Sequence, residues 1–139
     1  PERMNRFLTQ QKGIRYGFFG GAFKRRLMDD QILRLYSSSL ACLQFDGQQC
    51  LDFEGVTSRP FDICFCKGML IANRAKVLEE IFGDAILYAD DSVEIAHKVA
   101  WLKDNEDKRV EMIEKSHSIA KERVNPARLM KELLEWIYD

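Results

Sequence analysis

Two acidic residues, Glu54 and Asp62, lie eight positions apart and enclose the sequence GVTSRPF. Thr57 or Ser58, followed by Pro60, is typical of the start of a helix, since a hydroxyl caps the first turn and proline fits its first positions. Backbone N–H groups at a helix start attract phosphate, and carboxylates accept hydrogen bonds from sugar hydroxyls. The stretch therefore predicts either a site for a phosphorylated, hydroxyl-rich ligand or an ordinary capped helix, and the local residues leave both open.

Other candidate sites have weaker patterns. Lys24, Arg25 and Arg26 follow a strand-like run and would suit a diphosphate, but a solvated basic turn is the favoured interpretation. Gly20 and Gly21 are not part of a GxGxxG or Walker pattern.

The cysteines and histidines favour structural roles. Cys64 and Cys66 have no second Cys or His pair near them in sequence, so buried free thiols are favoured over a zinc site. His97 and His117 stand singly on predicted helices, where surface or partly hydrogen-bonded histidines are expected. Free thiols indicate a reducing compartment, and we expect a cytoplasmic protein, with peripheral attachment to a membrane left open.

Composition narrows the class of protein. The 139 residues suffice for one domain, and 21 Lys and Arg against 22 Asp and Glu argue against a general nucleic-acid surface. No apolar run approaches the roughly 20 residues of a membrane span, and no signal peptide is visible. Because the chain begins at Pro1 without Met, we expect a processed product or part of a longer protein.

Short apolar runs alternate with helical patterns along the chain, which predicts an α/β domain with a small parallel sheet. The last helix carries Leu129, Leu133 and Trp136 on one stripe, which predicts a buried face; covering a partner domain is the alternative. The predicted strands are IRYGFFGG, SLACLQF, MLIA and AILYA; the predicted helices are ERMNRFLTQQKG, DDQILRLYSS, SRPFDICFCK, KVLEEIF, SVEIAHKVAWLKDN, DKRVEMIEKSHSIAKERV and PARLMKELLEWIY.

Ligands of open parallel sheets bind beyond the carboxyl ends of the strands. The loop 46–57 leaves the strand SLACLQF at such an end and leads into the helix that begins near Ser58. Topology therefore favours the same stretch that its local chemistry singles out.

The segment GVTSRPFDICFCKGMLIAN resembles the donor-binding segment of GT-B glycosyltransferases, most closely the spore-maturation-type, group 1 branch. The shared features are two acids separated by seven residues, then a short helix, Cys66 and Gly68, and a strand. The resemblance extends over about residues 30–138 and includes the Gly83-Asp84 turn and the helices that follow. It implies a Rossmann-like fold over residues 1–139, forming the C-terminal, donor-binding half of a two-domain enzyme.

The resemblance also implies roles for individual residues. Glu54 would lie near the donor sugar as the catalytic candidate, and Asp62 would bind the ribose hydroxyls. Lys67 stands where the family commonly has a small residue, and we expect it to point into solvent. The backbone N–H groups that would hold the pyrophosphate belong to Gly55, Val56, Thr57 and Ser58.

From its own chemistry, Arg59 could pair with phosphate oxygens through its guanidinium group, and an exposed helix-start residue is an equal alternative. The expected ligand is a nucleotide-sugar, which acts as donor substrate with no metal or other cofactor required. An N-terminal domain upstream would bind an acceptor of sugar, lipid or protein type, so this part of the enzyme would not complete transfer alone. The competing hypothesis is a non-catalytic, flavodoxin-like interaction or regulatory module.

Overall fold

A computed structural model describes residues 17, 27–45, 55–123 and 126–138 of the chain. Three short strands alternate with helices, and three helices form the C-terminal part. The elements are α1 (Asp29–Ser38), β1 (Cys42–Gln44), α2 (Arg59–Phe65), β2 (Leu70–Ala72), α3 (Lys76–Phe82), a 3₁₀ turn (Gly83–Ala85), β3 (Leu87–Tyr88), α4 (Ser92–Asp104), α5 (Glu106–Arg123) and α6 (Pro126–Tyr138).

The described strands form one parallel sheet in the order β1-β2-β3. Cys42 pairs with Leu70 at one side of β2, and Ile71 pairs with Leu87 at the other. Parallel neighbours need a crossover, and α2 and α3 with the following turn supply the two crossovers. The predicted α/β class is confirmed.

Side chains of the central strand alternate between two apolar cores, as the two-residue period of a strand requires. Leu70 and Ala72 join a core that α2 and α3 cover. Met69, just before the strand, and Ile71 join a second core that α4 and α5 complete. The sheet is therefore buried on both faces, which is why MLIA lacks the polar-apolar alternation of a half-exposed strand.

The thiols sit largely where the sequence predicts. Cys64 is buried and Cys42 is partly buried, and neither forms a disulfide. Burial raises the pKa of the Cys64 thiol to about 12 and that of Cys42 to about 11. Both thiols are therefore protonated at neutral pH, which makes them poor nucleophiles.

The six predicted helices after residue 28 and the last three predicted strands are confirmed, although the strands are shorter than the apolar runs. The first predicted helix, the strand IRYGFFGG apart from Gly17, and the basic residues 24–26 lie outside the described residues. The predicted burial of Trp136 is wrong, because its side chain is 80 % exposed. Leu129 and Leu133 share its stripe and are also exposed, so periodicity defined an apolar face that no described element covers.

Candidate functional site

The segment before α2 lies over the carboxyl end of β1. The side chain of Gln44, the last residue of β1, donates from Nε2 to Oγ1 of Thr57 at 3.4 Å. Val56 packs against the core beneath α2, which fixes the backbone on either side of it. The predicted loop thus enters α2 at the sheet edge where parallel-sheet proteins bind ligands.

The first turn of α2 brings Ser58 and Asp62 together. Ser58 occupies the cap position, and its carbonyl accepts hydrogen bonds from the N–H groups of Phe61 and Asp62 at 3.0 and 3.1 Å. Its hydroxyl does not cap the helix but donates to Oδ2 of Asp62 at 3.4 Å. The expected side-chain cap is therefore wrong for Ser58, and the contact holds the Asp62 carboxylate beside the first turn.

A groove of about 400 Å³ separates α1 from α2, within the range of small-molecule sites. Its α2 wall consists of Arg59, Asp62, Phe65 and Cys66. Its α1 wall consists of Asp29, Ile32, Leu33 and Tyr36. The groove thus combines one cation, two carboxylates and apolar side chains, so it can contact both polar and apolar parts of a ligand.

The charged groups of the α2 wall have few protein partners. In the described part of the chain, the Arg59 guanidinium makes no hydrogen bond or ion pair, so its donors can serve an anion. Burial raises the pKa of Tyr36, an effect that the positive charge of Arg59 partly opposes. Tyr36 is therefore a neutral phenol at physiological pH and a hydrogen-bonding group beside the groove.

The end of α2 packs closely against the end of α1. Lys67 adopts a positive φ of 58°, and the N–H of Gly68 reaches back to the carbonyl of Ile63 at 2.8 Å, a Schellman-type ending. A Cβ on Gly68 would lie 2.8 Å from Cγ2 of Ile63 and 3.1 Å from the carbonyl oxygen of Tyr36. Gly68 therefore allows the last turns of α1 and α2 to approach each other.

Lys67 was expected to point into solvent, but its side chain also forms an ion pair. Its Nζ lies 2.8 Å from Oε1 of Glu114 on α5, with both side chains about half exposed. An ion pair this exposed contributes little stability. It does explain why a long cationic side chain occupies this position.

Sequence reasoning missed a charged cluster that follows β2 and β3. Arg74 donates from Nε to Asp90 at 3.2 Å and from Nη1 to Glu79 at 3.0 Å. Its guanidinium lies 5.8 Å from the centre of the Tyr88 ring. Glu79 lies on the following helix, whereas Asp90 and Tyr88 come close to Arg74 only because β2 pairs with β3.

The structure brings some of the predicted site residues together in the groove and places others elsewhere. Arg59 and Asp62 share the groove, whereas Thr57 contacts the end of β1 and Val56 faces the core. Glu54, the catalytic candidate, lies outside the described residues. The α1 wall was not predicted as part of any site.

The remaining Cys and His residues do not form a common site of their own. Cys64 faces the core, while Cys66 lines the groove. His117 is partly buried, with Nδ1 3.3 Å from the Cys64 carbonyl oxygen, and His97 is exposed. No group of three His, Cys, Asp or Glu side chains among the described residues is arranged to hold a metal ion.

A three-stranded parallel sheet between helices, with a groove between α1 and α2, defines a small Rossmann-like α/β domain. Residues 2–135 match the family model described as glycosyl transferase-like. The chain belongs to this family, and its fold is that of a group 1-type glycosyltransferase domain. Searches of curated proteins and of solved structures found no match.

Among the described helices, none has the length and apolar character needed to cross a membrane.

Proposed function

We propose that this domain binds the nucleotide-sugar donor of a glycosyltransferase. The observation that carries the proposal is the position of Arg59 and Asp62 side by side in one groove, at the end of α2 nearest the carboxyl edge of the sheet. Membership of the glycosyl transferase-like family supports a sugar-transfer role for a ligand bound there. The two side chains match the two chemically distinct parts of a nucleoside diphosphate, its phosphates and its ribose.

Each residue has a role that follows from its chemistry. Arg59 binds a phosphate oxygen through its planar guanidinium, and Asp62 accepts hydrogen bonds from the ribose diol. The N–H groups of residues 55–58 would hold the diphosphate, and Glu54, outside the described residues, is assigned to the donor sugar. A diphosphate held by these donors leaves more readily, because they stabilise the negative charge that develops on it.

The exposed apolar face of α6 fits a two-domain enzyme. Leu133 and Trp136 are exposed on a helix whose described neighbours leave it uncovered, and large exposed apolar patches mark interaction surfaces. We expect this face to contact the domain that binds the acceptor. Transfer would then require both domains, with the acceptor supplied across their interface.

Calorimetric titration with UDP, GDP, ADP and dTDP tests the proposal. We expect at least one nucleotide to bind, and we expect Asp62→Ala to weaken it about 10-fold or more, since hydrogen bonds to a charged group are worth roughly 1.5–3 kcal/mol. Glu54→Ala should weaken binding of the nucleotide-sugar without unfolding the domain.

The control is Asp104→Ala, which removes an exposed carboxylate at the end of α4, away from the groove. It should leave affinity and melting temperature unchanged, and Asp62→Ala should leave the melting temperature within a few degrees, because Asp62 is exposed. A parallel fall in stability and affinity for Asp62→Ala would indicate a structural carboxylate. Failure of every nucleotide to bind the folded chain would favour the interaction-module hypothesis.

A further inference from the structure

The α1 wall of the groove presents one continuous helix face. Asp29, Ile32, Leu33 and Tyr36 are spaced at i, i+3, i+4 and i+7, which places them on the same side of α1. No residue of α1 is fully buried, and Leu33 remains 53 % exposed. The face therefore combines an apolar surface with a carboxylate at one end, and the described core leaves it accessible.

The two walls run in the same direction. α1 ends shortly before β1 begins, and α2 ends shortly before β2 begins, so both helices start near the carboxyl edge of the parallel sheet. Asp29 and Arg59 thus lie at the end of the groove nearest that edge, and Tyr36 and Cys66 lie at the other. At 1.5 Å per residue each wall is about 10 Å long, which is enough for a nucleoside.

The stereochemistry of ribose determines which wall the base reaches. In a natural ribonucleoside the 2′ and 3′ hydroxyls lie on one face of the ring, while the base and C5′ lie on the other. If the diol hydrogen-bonds to Asp62 on α2, the base and C5′ both project into the groove; C5′ leads to the diphosphate at the Arg59 end of the groove, and the base reaches across it. The side chains that it meets there belong to α1.

We propose that α1 binds the nucleobase of the donor, with Leu33 packing on the ring and Asp29 accepting hydrogen bonds from its edge. This inference rests on the proposed function, because it takes the ribose position from Asp62. A carboxylate has two acceptor oxygens and no donor, so it favours a base edge with adjacent N–H groups. Guanine presents such a pair, whereas uracil presents one N–H between two carbonyl oxygens, so the expected donor is a guanosine diphosphate sugar.

The test is calorimetric titration of the full chain and its variants with GDP, ADP, CDP and UDP. We expect the wild type to bind GDP most tightly. Asp29→Asn should weaken GDP about 10-fold or more, since the bonds lost are to a charged acceptor. The same change should leave UDP within about 2-fold of wild type, because the uracil edge gains little from a carboxylate.

Two further variants separate base recognition from general damage. Asp30→Asn removes the neighbouring exposed carboxylate of α1, which does not line the groove, and should change none of the four affinities. Leu33→Ala should weaken all four nucleotides by a similar factor, because packing against a ring is insensitive to the base. Circular dichroism spectra should stay unchanged for all three variants, since the altered side chains are exposed.

Equal affinity of the wild type for all four nucleotides would overturn the inference. So would an Asp29→Asn variant that binds GDP as tightly as wild type, or one that loses all four nucleotides equally. In these cases the nucleotide still binds and the proposed donor site stands. If no nucleotide binds the wild type, the proposed function fails, and the assignment of α1 fails with it.

Discussion

Replacing Phe82 by alanine is expected to lower the free energy of unfolding by about 3–5 kcal/mol, the usual cost of removing a buried aromatic ring. Phe82 is 1 % exposed and closes the core between the sheet and the helices α2 and α3. Its ring centre lies 5.5 Å from that of Phe61, in a tilted arrangement that adds to the stabilisation from burial. Because α3 has only seven residues and no side-chain cap, packing rather than helix propensity stabilises it.

Chemical denaturation followed by circular dichroism measures this effect. A domain of ordinary stability has only about 5–15 kcal/mol in total, so Phe82→Ala should leave a large unfolded fraction even in dilute denaturant. Glu80→Ala on the same helix is the control, and its exposed side chain should change stability by less than about 0.5 kcal/mol. A Phe82→Ala effect no larger than that of the control would show that the described core is wrong.

Replacing Gly68 by alanine is expected to cost about 1–3 kcal/mol, as overpacking of a close contact does. The added Cβ would lie 2.8 Å from Ile63 Cγ2 and about 3 Å from two backbone carbonyl oxygens, which cannot move independently of their helices. The strain arises from contact alone, since Gly68 does not have a positive φ. Because those carbonyls belong to α1 and α2, the substitution should also separate the groove walls and weaken any ligand bound between them.

Gly83→Ala is a matched comparison, because it adds the same atom where nothing lies within 4 Å. Gly83 has a φ of 52°, so alanine there costs about 1–2 kcal/mol through backbone strain. Melting curves should show a loss for both variants, but only Gly68→Ala should impair nucleotide affinity beyond the loss of folded protein. Unchanged affinity in folded Gly68→Ala would mean that the contact does not set the width of the groove.

The local sequence pattern was enough to predict the helices and strands, but it did not show which of their apolar faces other elements cover. The alternation of MLIA and AILYA with amphipathic runs predicts the strands and helices correctly, because a buried parallel strand needs little beyond apolar residues. For Trp136 the same periodicity predicted an apolar stripe without revealing that no described element packs on it. Periodicity identifies the apolar face of a helix but does not show which element packs against that face.

The candidate site was predictable only in part for a related reason. Arg59 and Asp62 stand three residues apart on one helix, so their shared wall follows from spacing alone. The opposite wall comes from α1, and Asp29 is about 30 residues earlier in the sequence. The contact between Lys67 and Glu114 spans 47 residues and likewise depends on tertiary packing.

We expect a nucleoside diphosphate to bind between α1 and α2, with its phosphates at the end of the groove nearest the carboxyl edge of the sheet. Titration of the ¹⁵N-labelled chain with GDP, ADP, CDP and UDP, followed by ¹H–¹⁵N correlation spectra, locates the site directly. We predict saturable shifts confined to amides of residues 55–66 and of α1, with inorganic pyrophosphate shifting only those near residues 55–59. Spectra that no nucleotide changes, or shifts centred on α4 to α6, would contradict the account.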